Sequence, residues 1–496
     1  MNQTRRSFLK SSLLATAAVS LPARLRAAAE GANGDIRVAV IGFNGRGQEH
    51  LKSYLKLKGV RVAALCDVDS SVLSKGVAQV AKEKGAEPKG YTDLRKLFED
   101  KDIDAVSIAT PNHWHSLAGI WAIQAGKDVY VEKPVSHNVW EGRQLVKCAA
   151  NSKAVVQMGV QSRSGYGLRA AEAWAKAGNL GKIKYARGLC YKRRASIGKV
   201  DGAQPIPDNI DYDLWCGPAA KLPLMRAKLH YDWHWVWNTG AGDLGNQGIH
   251  QMDIARRFLG EAALSPKVYA VGGRVGYVDD AETPNSLYVF HDYEKAPLIF
   301  EVRGLPSKKD GKEMDKYRGA SVGVIVQYEN GSIVCPNYND AEAYDNDGKL
   351  IKKFTHPAAG EQPPADVAPS ELSENHFENF INCVRSRNSA GLHGPILDGH
   401  ISSALCHTGN ISYRIGKKAS QDELREAAKG SPDAMDSLQR LFSHLAANEV
   451  DVNVDKLTLG QFLKMDPQTE KFIDNADADK LLKREYRAPF VVPETV

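Results

Sequence analysis

Two features near the start of the chain have residue types and spacing suited to chemistry. Gly42-Phe43-Asn44-Gly45-Arg46-Gly47 follows the β-branched run Asp35–Ile41 and precedes a helical stretch from Gln48. Strand, glycine turn and helix in that order gather unpaired backbone N–H groups and a positive dipole end, which suit a pyrophosphate. Gly42 permits the tight turn, and Gly47 lets helix and strand pack closely. Asn44 stands where the middle glycine is usual. Asparagine tolerates left-handed backbone better than other residues with a side chain, and Gly45 beside it adds slack. A second run, Val60–Cys66, ends at Asp67. An acid about 20 residues past such a turn can bind the adenosine ribose hydroxyls and would repel a 2′-phosphate. The expected cofactor is therefore NAD rather than NADP, with Arg46 a candidate phosphate partner. A helix N-cap is the other role open to Asp67, and Asp69-Ser70-Ser71 can fill it instead.

The elements that must position these groups alternate. Helices are expected over Ser74–Lys84, Tyr91–Asp100, His115–Ala125 and Asn138–Asn151, with strands at Ala105–Ala109, Asp128–Val131 and Ala154–Met158. Repeated βαβ units predict a doubly wound parallel sheet with helices on both faces, a Rossmann domain over residues 30–157. Ligands of such sheets sit beyond the strand C-termini. Asp67, the segment Thr110-Pro111-Asn112-His113-Trp114-His115 and the segment Glu132-Lys133-Pro134 all lie there.

From Ile183 onward, strand-like runs with period-two alternation predict an α/β domain over 158–417 with a large, mostly antiparallel open sheet. Asp345-Asn346-Asp347-Gly348 reads as a hairpin turn, Gly360–Pro369 as a surface loop, and Asn375–Arg387 and Ile401–Ile415 as amphipathic helices. Residues 418–496 form a C-terminal extension with one clear helix, Asp433–Ala447, that covers either a partner subunit or the cleft. The segment His230-Tyr231-Asp232-Trp233-His234-Trp235-Val236-Trp237-Asn238 offers rings for sugar C–H faces and polar groups for hydroxyls; buried aromatic packing is the alternative. Its two histidines lack the glutamate of a zinc helix, so no metal is expected.

Residues 1–29 read as a twin-arginine signal peptide. Arg5-Arg6 precedes the apolar stretch Ser11–Pro22, and Ala27-Ala28-Ala29 offers a cleavage site. The formal charge is +6, but Arg5, Arg6, Lys10, Arg24 and Arg26 are unopposed in that segment, so the remainder is near neutral and no nucleic-acid partner is expected. Ser11–Pro22 is too short to span a bilayer, and no later segment is apolar enough. The seven cysteines are scattered and odd in number, which argues against a disulfide scaffold. The expected location is the periplasm or another site outside the cytoplasm, reached through the twin-arginine machinery after folding and cofactor insertion.

VAVIGFNGRG, LCDVD, IATPNHWH, VEKP, GVQSR and GDLGNQGIHQMD occur in register between residue 36 and about residue 260. In this set the chain resembles the Gfo/Idh/MocA family, the glucose–fructose oxidoreductase and inositol dehydrogenase group. The resemblance implies an NAD(P)-dependent oxidoreductase that moves a hydride at a secondary hydroxyl of a carbohydrate. It implies Lys133 near the nicotinamide and the reacting hydroxyl, with His250 as general base. A near-neutral imidazole pKa would suit that role. Asp243–Leu259 is expected as one helix stopped by Gly260, with Asn246 and His250 on one side. Many relatives have aspartate where Asn246 stands, and asparagine can orient a hydroxyl but cannot take its proton.

On the cofactor side the expected residues are Gly42, Phe43, Asn44, Gly45, Arg46, Gly47, Asp67, Thr110, Pro111, Asn112, His115, Glu132, Lys133 and Gln161. On the substrate side they are Arg163, Tyr166, Trp233, His234, Trp235, Asn246 and His250. The cofactor is expected to be tightly bound and recycled, and the protein a homo-oligomer. The alternatives are an NAD-dependent glycosidase, lyase or epimerase working through a transient keto-sugar, a dehydrogenase that exchanges NAD, and a non-catalytic carbohydrate-binding protein. The Tyr-Pro-Thr-His-Gly-like segment of the NAD-dependent glycosidases on this scaffold is absent.

Overall fold

A computed structural model describes residues 34–357 and 375–496. The signal-peptide segment and the Gly360–Pro369 loop lie outside them. Six short strands form the first sheet, the first of them rich in β-branched residues: β1 (Ile36–Ile41), β2 (Val60–Cys66), β3 (Lys89–Tyr91), β4 (Ala105–Ile108), β5 (Asp128–Glu132) and β6 (Val156–Gly159). Its order is β3-β2-β1-β4-β5-β6, and every pairing is parallel. The order reverses at β1, so the crevice of a doubly wound sheet opens beyond β1 and β4.

Helices α1 (Gly47–Lys56) and α2 (Ser70–Lys84) cover one face. Helices α3 (Leu94–Glu99), α4 (His115–Gln124) and α5 (Val139–Ala150) cover the other. Asp69 caps α2 by accepting the Ser71 and Val72 N–H groups, and Gly85 ends it at φ 70°.

The chain then enters α6 (Tyr166–Lys176) and a second sheet: β7 (Ile183–Tyr191), β8 (Lys267–Gly273), β9 (Ser286–His291), β10 (Leu298–Arg303), β11 (Val322–Tyr328), β12 (Gly331–Cys335), β13 (Ala341–Tyr344) and β14 (Leu350–Phe354). Three short strands extend it, β15 (Lys417–Lys418), β16 (Thr458–Leu459) and β17 (Leu463–Asp466), and β18 (Lys471–Phe472) pairs with the last. All pairings are antiparallel except β7 with β10. Between β7 and β8 lie the short α7 (Tyr212–Cys216) and the pair α8 (Gly242–Asn246) and α9 (Gly248–Leu259). The inner face of the sheet packs on α9 through Phe300, Val324, Ile249 and Met252.

Two long-range packings cut across the linear division. Helix α10 (His376–Ser386) returns to the first sheet, where Phe377, Phe380 and Val384 join its core. Phe377 stacks on Tyr130 at 4.8 Å. Helix α11 (Ile396–Arg414) runs between the two sheets. In the C-terminal extension, α12 (Gln421–Ala428) and α13 (Pro432–Ala447) lie on the outer face of β8–β10, joining Leu424, Leu438 and Leu441 to Tyr269, Tyr288 and Ile299. Two charged pairs, Arg440–Glu301 and Arg187–Asp436, fasten α13 to the sheet. These two helices thus cover the protein's own second sheet. No helix among the described residues is long and apolar enough to cross a membrane.

Candidate active site

The glycine turn is held from three sides. Gly42 has φ 74°, and a Cβ there would lie 2.9 Å from the Thr110 backbone. A Cβ on Gly47 would lie 2.1 Å from the Gly42 carbonyl oxygen, so α1 can approach β1 only because that residue has no side chain. Asp67 accepts the Phe43 N–H at 3.0 Å through one oxygen and the Asp69 N–H at 3.0 Å through the other. Asn44 is not in the left-handed region, nor is Gly45. The turn needs one left-handed residue, Gly42, which is why asparagine serves at the middle position.

A cleft of about 450 Å³ runs from this turn across the C-terminal ends of β1, β2, β4 and β5. Gly42, Phe43, Asn44, Gly45, Arg46 and Asp67 border one end. Thr110, Pro111, Asn112 and His115 border the middle, then Glu132 and Lys133, with Trp233, His234 and Asn246 from the second domain. Thr110 Oγ1 and Asn112 Nδ2 are buried with no hydrogen-bond partner in the protein. An unpaired buried polar atom costs about 1–3 kcal/mol, so a cleft ligand rich in hydroxyl and carbonyl groups fits here. The glycine turn, the acid just past β2 and these unpartnered atoms together match a dinucleotide.

Glu132 is the hub of the site. Its Oε1 accepts from Arg46 Nε at 3.0 Å, Gln161 Nε2 at 2.9 Å and His50 Nε2 at 3.0 Å, and its Oε2 accepts the Lys133 N–H at 3.1 Å. Burial would raise this carboxyl, but the His50 hydrogen bond and the Arg46 and Lys133 charges outweigh it and hold it well below the usual range. Arg46, expected as a phosphate partner, is therefore paired with Glu132, and Gln161 braces that carboxylate without bordering the cleft. His50 was not anticipated. It lies fully buried between Glu132 and Ser107, whose Oγ is 2.8 Å from Nδ1. The available signal was a histidine on the apolar side of α1, beside Leu51 and Tyr54.

Lys133 turns its amine to the second domain. Nζ donates to the Asn246 main-chain oxygen at 2.7 Å and lies 3.5 Å from its Oδ1. Burial lowers the Lys133 pKa from its ordinary value; Glu132 opposes this, while Arg46, Lys192 and Arg194 add to it. The Lys133–Pro134 bond is cis.

Several residues expected on the substrate side lie elsewhere. The single helix expected over Asp243–Leu259 is two helices broken at Gln247, where Gly248 lies against the Phe300 ring. As a result Asn246 reaches the cleft and His250 does not border it. His250 is buried beside Tyr338, with ring centres 4.8 Å apart and Nδ1 unpartnered. Burial, then the Lys133 charge, pushes its pKa down to about 3, far from the near-neutral value that suits a general base. Arg163 is committed to ion pairs with the buried Asp253 at 2.7 Å and the half-buried Asp398 at 2.8 Å. Tyr166 begins α6 away from the cleft, and Trp235 is buried under Arg194. Trp233 and His234 stack at 3.6 Å beside the Lys133 end. Among the described residues no group of three His, Cys, Asp or Glu side chains could hold a metal ion.

Residues 36–160 match the NAD-binding Rossmann domain of the Gfo/Idh/MocA oxidoreductase family, and residues 182–294 match its C-terminal alpha/beta domain. A glycosyl hydrolase family 109 protein of Shewanella sp. (strain W3-18-1) is 37% identical over 122 residues, 24% of this chain and 27% of the relative. An alpha-N-acetylgalactosaminidase of Shewanella oneidensis is 35% identical over the same length. The match thus spans about a quarter of these curated relatives. Among solved structures, a levoglucosan dehydrogenase in complex with NADH and levoglucosan superposes with TM-score 0.54 at 18% identity, covering 75% of this chain and 95% of that one. The WlbA dehydrogenase of Bordetella pertussis, with NADH and UDP-GlcNAcA, gives 0.52 at 17%, covering 75% and 94%. These two share the fold. Residues 36–160 and 182–294 thus carry the two domains of the Gfo/Idh/MocA oxidoreductase family in order, on a sheet whose crevice opens at the glycine turn.

Proposed function

We propose that this protein holds NAD tightly along the Gly42–Arg46 turn and uses it on a secondary hydroxyl of a sugar or sugar derivative, recycling the cofactor in place. One observation carries the reading: a continuous cleft joins the turn to the Lys133 amine and Asn246. When bound, the dinucleotide would supply the hydride acceptor and donor. The remaining work falls to the chain's own residues. The lowered pKa of Lys133 lets Nζ exchange a proton closer to neutral pH than an ordinary lysine does. A neutral Nζ takes the substrate hydroxyl proton, and the ammonium returns it. Asn246 Oδ1, beside that amine, orients the hydroxyl. The Trp233–His234 stack gives the sugar a flat apolar face. His250 stays neutral and acts through packing near Lys133.

The test is a single-turnover assay. NAD-loaded, desalted protein is mixed with a panel of monosaccharides and uronic acids, and nicotinamide reduction is read before and after a second keto-sugar is added. Reduction followed by reoxidation supports the reading, whereas steady NADH release into solution contradicts internal recycling.

The likeness to the glycosyl hydrolase and alpha-N-acetylgalactosaminidase relatives favours a second reading, glycoside cleavage through a transient keto-sugar. Free monosaccharide from an aryl glycoside, without net NADH, would establish it. Export belongs to the same proposal. The Arg5-Arg6 pair ahead of an apolar run supports twin-arginine passage to the periplasm, and retention of an Arg5→Lys/Arg6→Lys variant in the cytoplasm tests it. Self-association is the last part, and light scattering on the purified chain reads it.

A further inference from the structure

The adenosine half of the cleft is roofed by a strap, residues 204–240, that leaves the second domain and crosses the first. Leu214, Trp215, His230 and Tyr231 of the strap border the cleft. One end is fixed at the tip of β2. Asp69 accepts from Asn209 Nδ2 at 2.7 Å and lies 3.2 Å from His230 Nε2, and the Ser70 N–H donates to the Asn209 oxygen at 2.9 Å. The middle is seated on the first domain. Trp114 Nε1 donates to the Leu214 oxygen at 3.0 Å, His113 Nε2 lies 2.9 Å from the Trp215 oxygen, and a Cβ on Gly217 would meet the Trp114 ring at 2.2 Å.

The C-terminal residues hold the strap a second time, from outside. The segment 482–494 is rooted on α5. The Trp140 N–H donates to the Leu482 oxygen at 2.9 Å, Tyr486 OH donates to Glu141 at 3.0 Å, and Gln144 Nε2 donates to the Pro493 oxygen at 2.8 Å. Phe490 enters the core of the first domain, 5.5 Å from the Trp114 ring. Between these anchors, two guanidinium groups reach the strap. Arg487 donates to Asp213 Oδ1 at 2.9 Å and to the Asp213 main-chain oxygen at 2.8 Å. Arg484 donates to Asn238 Oδ1 at 2.7 Å and to the Asn238 main-chain oxygen at 3.0 Å. Asp213 immediately precedes Leu214 and Trp215 of the cleft wall, and Asn238 follows Trp233 and His234. Each arginine thus fixes both backbone and side chain of a residue next to the wall, the two-point grip its fork makes possible.

We propose that segment 482–494 is a clasp, with Arg484 and Arg487 as positioning residues that hold the strap over the bound dinucleotide and so limit its release. This rests on the reading of the cleft as a dinucleotide site and gives the end of the C-terminal extension a role in it. A strap gripped at Asp69 on one side and by the two arginines on the other must break both grips before the adenosine half can leave. The clasp acts on retention, not on the proton chemistry at Lys133.

The test measures release of NADH from loaded, full-length protein by fluorescence after dilution into excess NAD. It compares wild type, Arg484→Ala/Arg487→Ala, Arg487→Lys and Asp213→Asn, with Lys480→Ala as a control on an exposed pair nearby. Melting curves accompany each variant. The double variant should release NADH at least ~10-fold faster at temperatures where it is fully folded, since two charge-assisted grips are lost. Arg487→Lys, which keeps the charge but not the fork, should fall between, and Lys480→Ala should match wild type. Asp213→Asn weakens the same grip from the strap side and decides the matter if the double variant does not fold. Folded variants that release NADH at the wild-type rate would overturn the clasp while leaving the dinucleotide site standing. A wild type that takes up no NADH would overturn both.

Discussion

Lys133 and Asn246 come from different domains, 113 residues apart, yet the lysine amine lies 2.7 Å from the Asn246 main-chain oxygen. The contact joins the C-terminal end of β5 to the end of α8, on the wall of the cleft. On the proposed reading, this nitrogen is the group that exchanges a proton with the substrate hydroxyl.

Replacing that nitrogen should separate binding from chemistry. Lys133→Met is expected to lower kcat by about 10²–10⁴-fold while the protein keeps its nucleotide. Because the Lys133 pKa is lowered, the neutral amine needed for oxidation is populated at lower pH than an ordinary lysine allows. The oxidation rate should therefore rise with pH and level off below the usual lysine range, and the variant should lose that limb. A pH–rate profile of both proteins checks this.

Asp67 should govern nucleotide choice. Its carboxylate borders the cleft and also holds the Phe43 N–H at 3.0 Å. Asp67→Ala should weaken NAD binding by about 10- to 100-fold, the worth of one or two hydrogen bonds to a charged group. NADP binding should fall less, because repulsion of the 2′-phosphate is removed. Titration with both nucleotides reads the ratio, and an equal loss for both would reduce Asp67 to a support of the turn.

Arg163 should matter for stability and not for substrate affinity. Its guanidinium makes a two-point pair with Asp253, which is fully buried, and a further bond to Asp398 at 2.8 Å. Arg163→Ala leaves Asp253 without its main counter-charge, for a loss of about 3–5 kcal/mol. Denaturant unfolding measures the loss. KM of the folded variant should stay near wild type.

His291 predicts part of the acid sensitivity. The ring is fully buried in β9, neither nitrogen has a partner, and burial pushes its pKa down to about 3. Above the unfolded value of about 6.5, both states are neutral and nothing is lost. Below it the unfolded chain takes a proton that the folded ring refuses, so stability falls with pH until the folded pKa is reached. His291→Leu removes that penalty. Between about pH 7.5 and about pH 5, the stability of the variant relative to wild type should improve by about 2 kcal/mol. Chemical denaturation at the two pH values tests it.

Local pattern made much of this molecule readable. The glycine turn, the β-branched runs and the acid at position 67 all lie within one βαβ unit, where sequence spacing maps directly onto space. Hairpins such as β13–β14 announced themselves through Asp345–Gly348, with Gly348 at φ 80°. What stayed hidden depends on partners far along the chain. Arg163 has the composition of a substrate ligand, and only the fold brings Asp253 and Asp398 to it. At the break after Asn246, Gly248 seats against Phe300, a contact no helical periodicity encodes. The return of α10 to the first sheet and the clasp by residues 482–494 likewise rest on apolar faces whose partners sequence alone does not name. His250 illustrates the limit for chemistry, because its neutral-range pKa as a free side chain is abolished by burial beside Lys133.

The most direct test of the central claim is to load the purified protein with NAD, desalt it, denature it and quantify the nucleotide by chromatography, for wild type and Lys133→Met. Stoichiometric nucleotide in both, with its reduced fraction changing on addition of sugar only in wild type, is the predicted result. Absence of nucleotide from the wild-type protein after loading, or an unchanged sugar response in the variant, would contradict the account.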